Sequence, residues 1–167
     1  MDFVIKPYEG ALPLVFGMNR EEVSSVFPQI EKSDIESFGS SQVNLGDDIY
    51  LNFEDGKLSE IEFYTAKNDY TTGELSELTP DLNLILAING QQLAILQFDN
   101  TLDLLNQIDT PKYADGVWIY PAIGATFYGY DRSQDYRSFC LFDKTLLSFH
   151  MEGAEEAPKS TNLRSID

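Results

Sequence analysis

Residues able to move protons or attack carbonyls near neutral pH are scarce in this chain: among 167 residues there is one histidine, His150, and one cysteine, Cys140. Acid–base and nucleophilic catalysis at that pH usually recruits histidine, or a carboxylate or lysine tuned by burial, so a Ser-His-Asp or Cys-His centre would have to be built on His150. Its neighbours Phe149 and Met151 read as the end of an apolar strand, which favours a structural histidine, and spacing alone does not bring it to Cys140. A lone thiol excludes an internal disulfide and cannot furnish a zinc cage, so Cys140 reads as a small buried hydrophobe. With 28 Asp and Glu, adjacent pairs such as Asp47-Asp48, Glu54-Asp55 and Glu155-Glu156 arise by chance. Glycoside hydrolysis needs two carboxylates at a set distance across a cleft, which spacing does not establish. Asp99-Asn100-Thr101-Leu102-Asp103 begins like a calcium loop of alternating oxygens but lacks its glycine and terminal glutamate. Neither a Walker loop nor a dinucleotide fingerprint occurs. The expectation is a protein that binds rather than catalyses, without metal or cofactor.

What it binds is constrained by charge. Eleven Lys and Arg leave a net charge of −17, a field that repels phosphate and so disfavours nucleic acid and anionic membrane. Solubility alone accounts for such a balance; the sharper reading is steering toward a basic partner, such as a nuclease built to hold nucleic acid. The opening Met1-Asp2-Phe3-Val4-Ile5-Lys6-Pro7 has neither a basic n-region nor an apolar h-region, and no stretch is long enough to span a bilayer, so a cytoplasmic protein is expected.

The elements that must position any site are legible in part. Asn19 with Glu22 three residues on is a capping box, and Val23, Val26 and Phe27 at helical spacing end before Pro28. Ile49–Phe53 and Lys57–Phe63 alternate around Glu54-Asp55-Gly56. A two-residue turn at Asp55-Gly56 would pair Phe53 with Leu58 and set Glu60 beside Leu51, mixing charge into the apolar face. A three-residue loop pairing Phe53 with Lys57 aligns the apolar rows, and is the expected register. It turns Tyr50, Asn52, Glu54, Leu58, Glu60, Glu62 and Tyr64 outward as an acidic surface edged with rings. Residues 65–80 read as a polar connection. Leu82–Ile88 ends at Asn89-Gly90, a hairpin signal, with helix the alternative for the segment after Gly90.

The second half repeats the first in outline. Leu96-Gln97-Phe98-Asp99-Asn100-Thr101 parallels Leu14-Val15-Phe16-Gly17-Met18-Asn19, with Thr101 as a second N-cap and Leu105 and Ile108 where Val23 and Val26 fell. A chance match of two amphipathic units is the competing reading. After a loop at Thr110–Gly116, strands are expected at Val117–Tyr120, Ala125–Tyr130 and Tyr136–Phe142, with Leu146–His150 a further candidate. If Val117, Ile119, Ala125 and Phe127 face the core, then Trp118, Tyr120, Thr126, Tyr128 and Tyr130 face away, beside Asp131 and Asp135. Trp and Tyr are the residues that anchor protein interfaces. The alternative is that this face packs under a helix or the tail. From Glu152 onward the composition suggests a mobile tail.

The segment Leu14-Val15-Phe16-Gly17-Met18-Asn19-Arg20-Glu21-Glu22-Val23 resembles the G-x-L-x-F-G-M-[ST]-x-E-E-V opening of small bacterial immunity-type proteins, many encoded beside polymorphic or contact-dependent toxins. Ile88-Asn89-Gly90-Gln91-Gln92-Leu93 and the helix start at Asn100 and Thr101 are similar to their middle. The same pattern occurs in β-lactamase-inhibitor-like and outer-membrane-assembly lipoprotein folds, which pack helices on a sheet. Asn19 departs from the usual Ser or Thr cap, and Phe27-Pro28 stands where many relatives have Leu-Gly. The missing leader and lipidation cysteine argue against the envelope branch. The resemblance implies an α+β fold of two related units, each a helix on antiparallel sheet, spanning 10–65 and 92–150 of a domain at 1–151, with a tail at 152–167. It also implies a one-to-one complex with a cognate toxin whose substrate site it occludes. The partner-binding residues expected are Trp118, Tyr120, Tyr128, Tyr130 and Asp131, with Tyr50, Glu54, Glu60 and Glu62.

Overall fold

The computed structural model describes residues 1–28, 42–45, 48–69, 71–77, 82–95, 100–132 and 135–159. The capping box forms as expected. The Asn19 side chain accepts from the Glu22 N–H and the Glu22 carboxylate accepts from the Asn19 N–H, each at 2.8 Å, opening helix α1 (Arg20–Val26), which closes on Phe27. Seven residues do not hold a helix by themselves. Buried Val23 and Phe27 fasten it, the Phe27 ring lying 5.8 Å from that of Phe3.

Phe3 belongs to β1 (Asp2–Lys6), the centre of a mixed sheet in the order β3-β2-β1-β8-β9, with β2 (Gly10–Leu12), β3 (Leu14–Val15), β8 (Asn83–Ile88) and β9 (Gln91–Ala94). β1 and β8 run parallel with Phe3 opposite Leu84 and Ile5 opposite Leu86, while β8 and β9 form the hairpin that Asn89-Gly90 announced. Asn89 and Gly90 sit at φ +50° and +73°, as a tight hairpin turn requires. The segment after Gly90 is therefore strand, not helix.

The second sheet is antiparallel in every described pairing. Its order is β14-β10-β11-β12-β13-β6-β5-β4, from β14 (Glu155–Glu156), β10 (Lys112–Ala114), β11 (Val117–Tyr120), β12 (Ala125–Tyr128), β13 (Arg137–Phe142), β6 (Lys57–Asp69), β5 (Ile49–Glu54) and β4 (Gln42–Asn44). A further strand, β7 (Glu74–Glu77), pairs with the far end of β6. The stretch 65–80, expected as a polar connection, thus begins as sheet. Strand β10 and its turn into β11 lie within the expected loop at Thr110–Gly116, and Glu155–Glu156 of the expected tail is anchored on β10.

The two sheets share one apolar core: Phe3, Ile5, Leu84 and Leu86 meet Leu51, Ile61, Phe63, Phe127, Phe139 and Leu141. Phe63 stacks on Phe139 at 4.9 Å and Phe139 on Phe127 at 5.2 Å, across three neighbouring strands. A second short helix, α2 (Thr101–Leu105), buries Leu102 and Leu105. Thr101 is its first residue rather than its cap; the Thr101 hydroxyl donates to the carbonyl of Ile95 at 3.2 Å. The stretch Leu146–His150, a candidate strand, instead turns through a 3₁₀ segment (Lys144–Leu146) into α3 (Leu147–Met151).

The fold is α+β, with helices on two sheets, but the described structure gives no evidence of two related units. Residues 10–65 supply strands to both sheets, whereas β10 to β13 all lie in the antiparallel one. Leu96 to Asp99, which carried much of the apparent repeat, fall outside the described residues.

Candidate functional site

Strand register decides which side chains meet. At the β5–β6 hairpin the expected three-residue loop is not formed. Asp55 and Gly56, at φ +50° and +75°, make a two-residue turn with Glu54 opposite Lys57 and Phe53 opposite Leu58. The misalignment this would cause is removed by a bulge: the register steps at Ser59, so that Asn52 faces Glu60, Leu51 faces Ile61 and Ile49 faces Phe63. The apolar rows are restored, and Leu58, expected outside, is buried in the core. The Leu58 backbone bonds to the approach of α1, accepting from Gly17 N–H and donating to the Met18 carbonyl.

The β11–β12 hairpin corrects the expected aromatic face. Its loop runs from Pro121 to Gly124, so Tyr120 lies opposite Ala125 and Trp118 opposite Phe127. Directly paired residues share a face. Trp118 and Tyr120 therefore join Ala125 and Phe127 in the core, both 0 % exposed, while Val117, Ile119, Thr126 and Tyr128 point the other way. The Tyr120 hydroxyl donates to Asn106 at 2.8 Å, satisfying it inside. Tyr130 and Asp131 are buried as well; the Tyr130 hydroxyl sits 2.8 Å from that of Thr65, and the Arg137 guanidinium lies over its ring at 5.8 Å. Four of the expected interface residues are thus buried, and Trp118, Tyr120 and Tyr130 belong to the core. Glu54 stands exposed at the hairpin tip.

The remaining ones, Tyr50, Glu60, Glu62 and Tyr128, do come together, on the outer face of the antiparallel sheet. One cross-strand row runs Tyr50, Glu62, Cys140, Thr126; the next runs Tyr64, Ser138, Tyr128. Tyr50, Tyr64, Tyr136 and Tyr128 form a ladder of rings, with centroids 5.3, 5.7 and 4.8 Å apart in that order. Each ring keeps part of its surface in solvent. The Tyr128 hydroxyl donates to Asp135, whose other oxygen accepts from the Tyr136 N–H at 2.9 Å. Two of these phenols are hard to ionise: burial, then the neighbouring Glu62, push Tyr64 up to about 12, and the Asp135 hydrogen bond does the same for Tyr128. Tyr64 and Tyr128 act as neutral rings with a hydrogen-bonding tip.

The carboxylates on this face differ in their surroundings. Glu60 lies against His150, Oε2 to Nε2 at 3.2 Å, and also accepts from the Cys140 thiol at 3.3 Å; the histidine contact is the main reason its carboxyl is held below the ordinary range. Glu62 is pushed the other way, first by burial and then by Glu60, with hydrogen bonds from Tyr64 and Ser138 only partly offsetting this. Among the described residues no lysine, arginine or histidine pairs with Glu62. Lys67 is held by Asp48 at 3.4 Å.

His150 and Cys140 thus converge on one carboxylate, a meeting that spacing did not reveal. The order is unfavourable for nucleophilic catalysis, because an activated cysteine needs a base or positive charge beside it. Here Glu60 stands between thiol and imidazole, and burial together with Glu60 and Glu62 raises the Cys140 thiol well above its ordinary value. The His150 ring stacks on Phe142 at 4.2 Å, and Tyr8 also packs against Phe142, its hydroxyl donating to the Pro121 carbonyl. This cluster fastens α3 to the sheet beside the tyrosine ladder.

Among the described residues no group of three or more His, Cys, Asp or Glu is placed to hold a metal ion, and no helix is long and apolar enough to cross a membrane. An open groove of about 350 Å³ between the end of β1 and the β8–β9 turn presents Lys6, Glu9, Asn89 and Gln92 but no serine, threonine, cysteine or histidine. Comparison with known protein families, with characterised proteins and with solved structures returned no match.

Proposed function

We propose that this chain is a non-enzymatic binding protein of the immunity type, acting stoichiometrically in the cytoplasm to block a cognate bacterial toxin domain with a basic surface. The observation that carries the binding reading is the ladder of half-exposed rings Tyr50–Tyr64–Tyr136–Tyr128, set on the outer sheet face beside Glu60, Glu62 and Asp135. Large rings with limited rotamer freedom supply contact area, while the net charge of −17 raises the encounter rate with a positive partner. The immunity assignment is supported by the resemblance of residues 14–23 and by the chemistry around Cys140, which suits packing and not attack.

The test is co-purification with the product of the adjacent gene, comparing the wild type with a Tyr64→Ala, Tyr128→Ala double variant whose folding is checked by circular dichroism. Trp118 is not a useful target, because its removal would open the core. A one-to-one complex formed by the wild type, weakened in the folded variant and inhibiting the partner's activity, supports the reading. A complex that leaves the partner active points instead to a scaffold or regulatory module, and capture of nothing removes the proposal.

A further inference from the structure

We propose that the outer face of the antiparallel sheet is an arginine-reading surface: Glu62, framed by Tyr50 and Tyr64, is the seat for a guanidinium carried on a segment of the basic partner. The inference rests on the reading of this face as a binding surface, and adds which side chain the surface selects.

Four observations converge on Glu62. It is partly buried in the middle of β6, not at an edge or turn, so its charge is kept on the face by the strand register. Glu60, two residues away on the same face, is occupied by His150 and Cys140, whereas Glu62 has no cation among the described residues and lies beside the hydroxyls of Tyr64 and Ser138. Tyr50 is its direct cross-strand partner, and the Tyr50 and Tyr64 rings meet edge to face at 5.3 Å and 70°. One ring therefore sets its edge against the other's face, and the pair forms an aromatic wall on the same sheet face as the carboxylate. Tyr136 and Tyr128 continue this surface to Asp135.

A partly desolvated carboxylate beside aromatic faces fits a guanidinium better than the other common guests. Phosphates are repelled by Glu60, Glu62 and the overall charge. An apolar side chain would bury Glu62 further without a counterion. A lysine ammonium satisfies the charge but is strongly hydrated and presents a point, whereas the guanidinium is flat, weakly hydrated, stacks on tyrosine and gives two parallel donors to one carboxylate.

The test uses the full chain at low salt, with two capped peptides as probes, Gly-Arg-Gly-Arg-Gly and Gly-Lys-Gly-Lys-Gly, titrated while backbone amide shifts are followed. The expected result is several-fold tighter binding of the arginine peptide, with shifts concentrated at Glu62, Tyr64 and Ser138. Glu62→Gln, checked for its folded spectrum, should weaken the arginine peptide about tenfold, the order expected for loss of one charge-assisted pair. Glu74→Gln, which removes the same charge from an exposed position on β7, should leave it unchanged. Equal binding of the two peptides, or equal effects of the two substitutions, would show a diffuse acidic field and overturn the inference. That failure is separable from failure of the functional reading: a toxin complex lost in the tyrosine variant can coexist with unselective peptides, and selective peptides can coexist with no toxin.

Discussion

Gly129 follows β12 at φ +81°, and a Cβ built on it would lie 1.9 Å from the carbonyl oxygen of Tyr136 and 3.0 Å from its carbonyl carbon. Gly56 has nearly the same backbone, φ +75°, but nothing within 4 Å of the added carbon. The pair separates two costs that glycine replacement usually confounds. Gly56→Ala should show only the strain of a left-handed alanine, about 1–2 kcal/mol. Gly129→Ala adds an overlap with main chain, which cannot rotate aside as a side chain would. Relieving it means shifting Tyr136 and Arg137 at the start of β13, an overpacking cost of roughly 1–3 kcal/mol beyond the strain. The total of about 2–5 kcal/mol, at ~2–4 °C per kcal/mol for a chain of this size, corresponds to a fall in Tm of roughly 4–20 °C. Urea and thermal unfolding of both variants against the wild type give the comparison. The displacement also moves Tyr136, so the near-ultraviolet dichroism of the tyrosines should change in Gly129→Ala and not in Gly56→Ala. If the two variants were equally destabilised, the close approach of β12 and β13 at this point would be refuted.

The same geometry sets other outcomes. Glu60 and Glu62 should respond to pH in opposite senses. Glu60 is held below its ordinary value of 4.5, so its contribution is fully present above about pH 4.5 and is lost as pH falls through the folded value. Glu62 is raised, so its charge opposes folding once pH rises past its ordinary range. At pH 7 Glu60→Gln should destabilise by about 1 kcal/mol, allowing for partial exposure, and Glu62→Gln should be neutral or stabilising; urea titrations at pH 4 and pH 7 check both signs. Trp118, the only tryptophan, should emit at short wavelength and resist acrylamide until the chain unfolds, and native quenching equal to that in urea would place it outside the core. Alkylation of Cys140 by iodoacetamide at pH 8 should be slow in the folded chain and faster in Glu60→Gln, since that carboxylate helps hold the thiol protonated.

Local chemistry accounts for what could be read before folding. The Asn19–Glu22 box, the stop at Phe27-Pro28 and the turn at Asn89-Gly90 depend on residues within a few positions of one another, and each forms where expected. The alternation of β5 and β6 was equally legible, and it placed Tyr50, Glu60, Glu62 and Tyr64 on one face. Where expectation failed, the deciding residue lay on another strand. Ser59 becomes a bulge because Leu51 must meet Ile61 while Leu58 bonds to Met18, and no window of sequence contains both demands. Trp118 turns inward because a four-residue connection sets it opposite Phe127, which Phe139 and Phe63 hold in the core.

The sequence by itself thus determined the charge of −17, the scarcity of catalytic side chains, the helix cap, the tight turns and the two-residue period of the strands, because composition and short-range sterics suffice for these. Only the tertiary structure decided which aromatic rings are core and which are surface, and that His150 and Cys140 share Glu60 while Glu62 has no cation among the described residues. Those are statements about register and about contacts between residues as far apart as Glu60 and His150, which chain separation leaves open until the sheets pack.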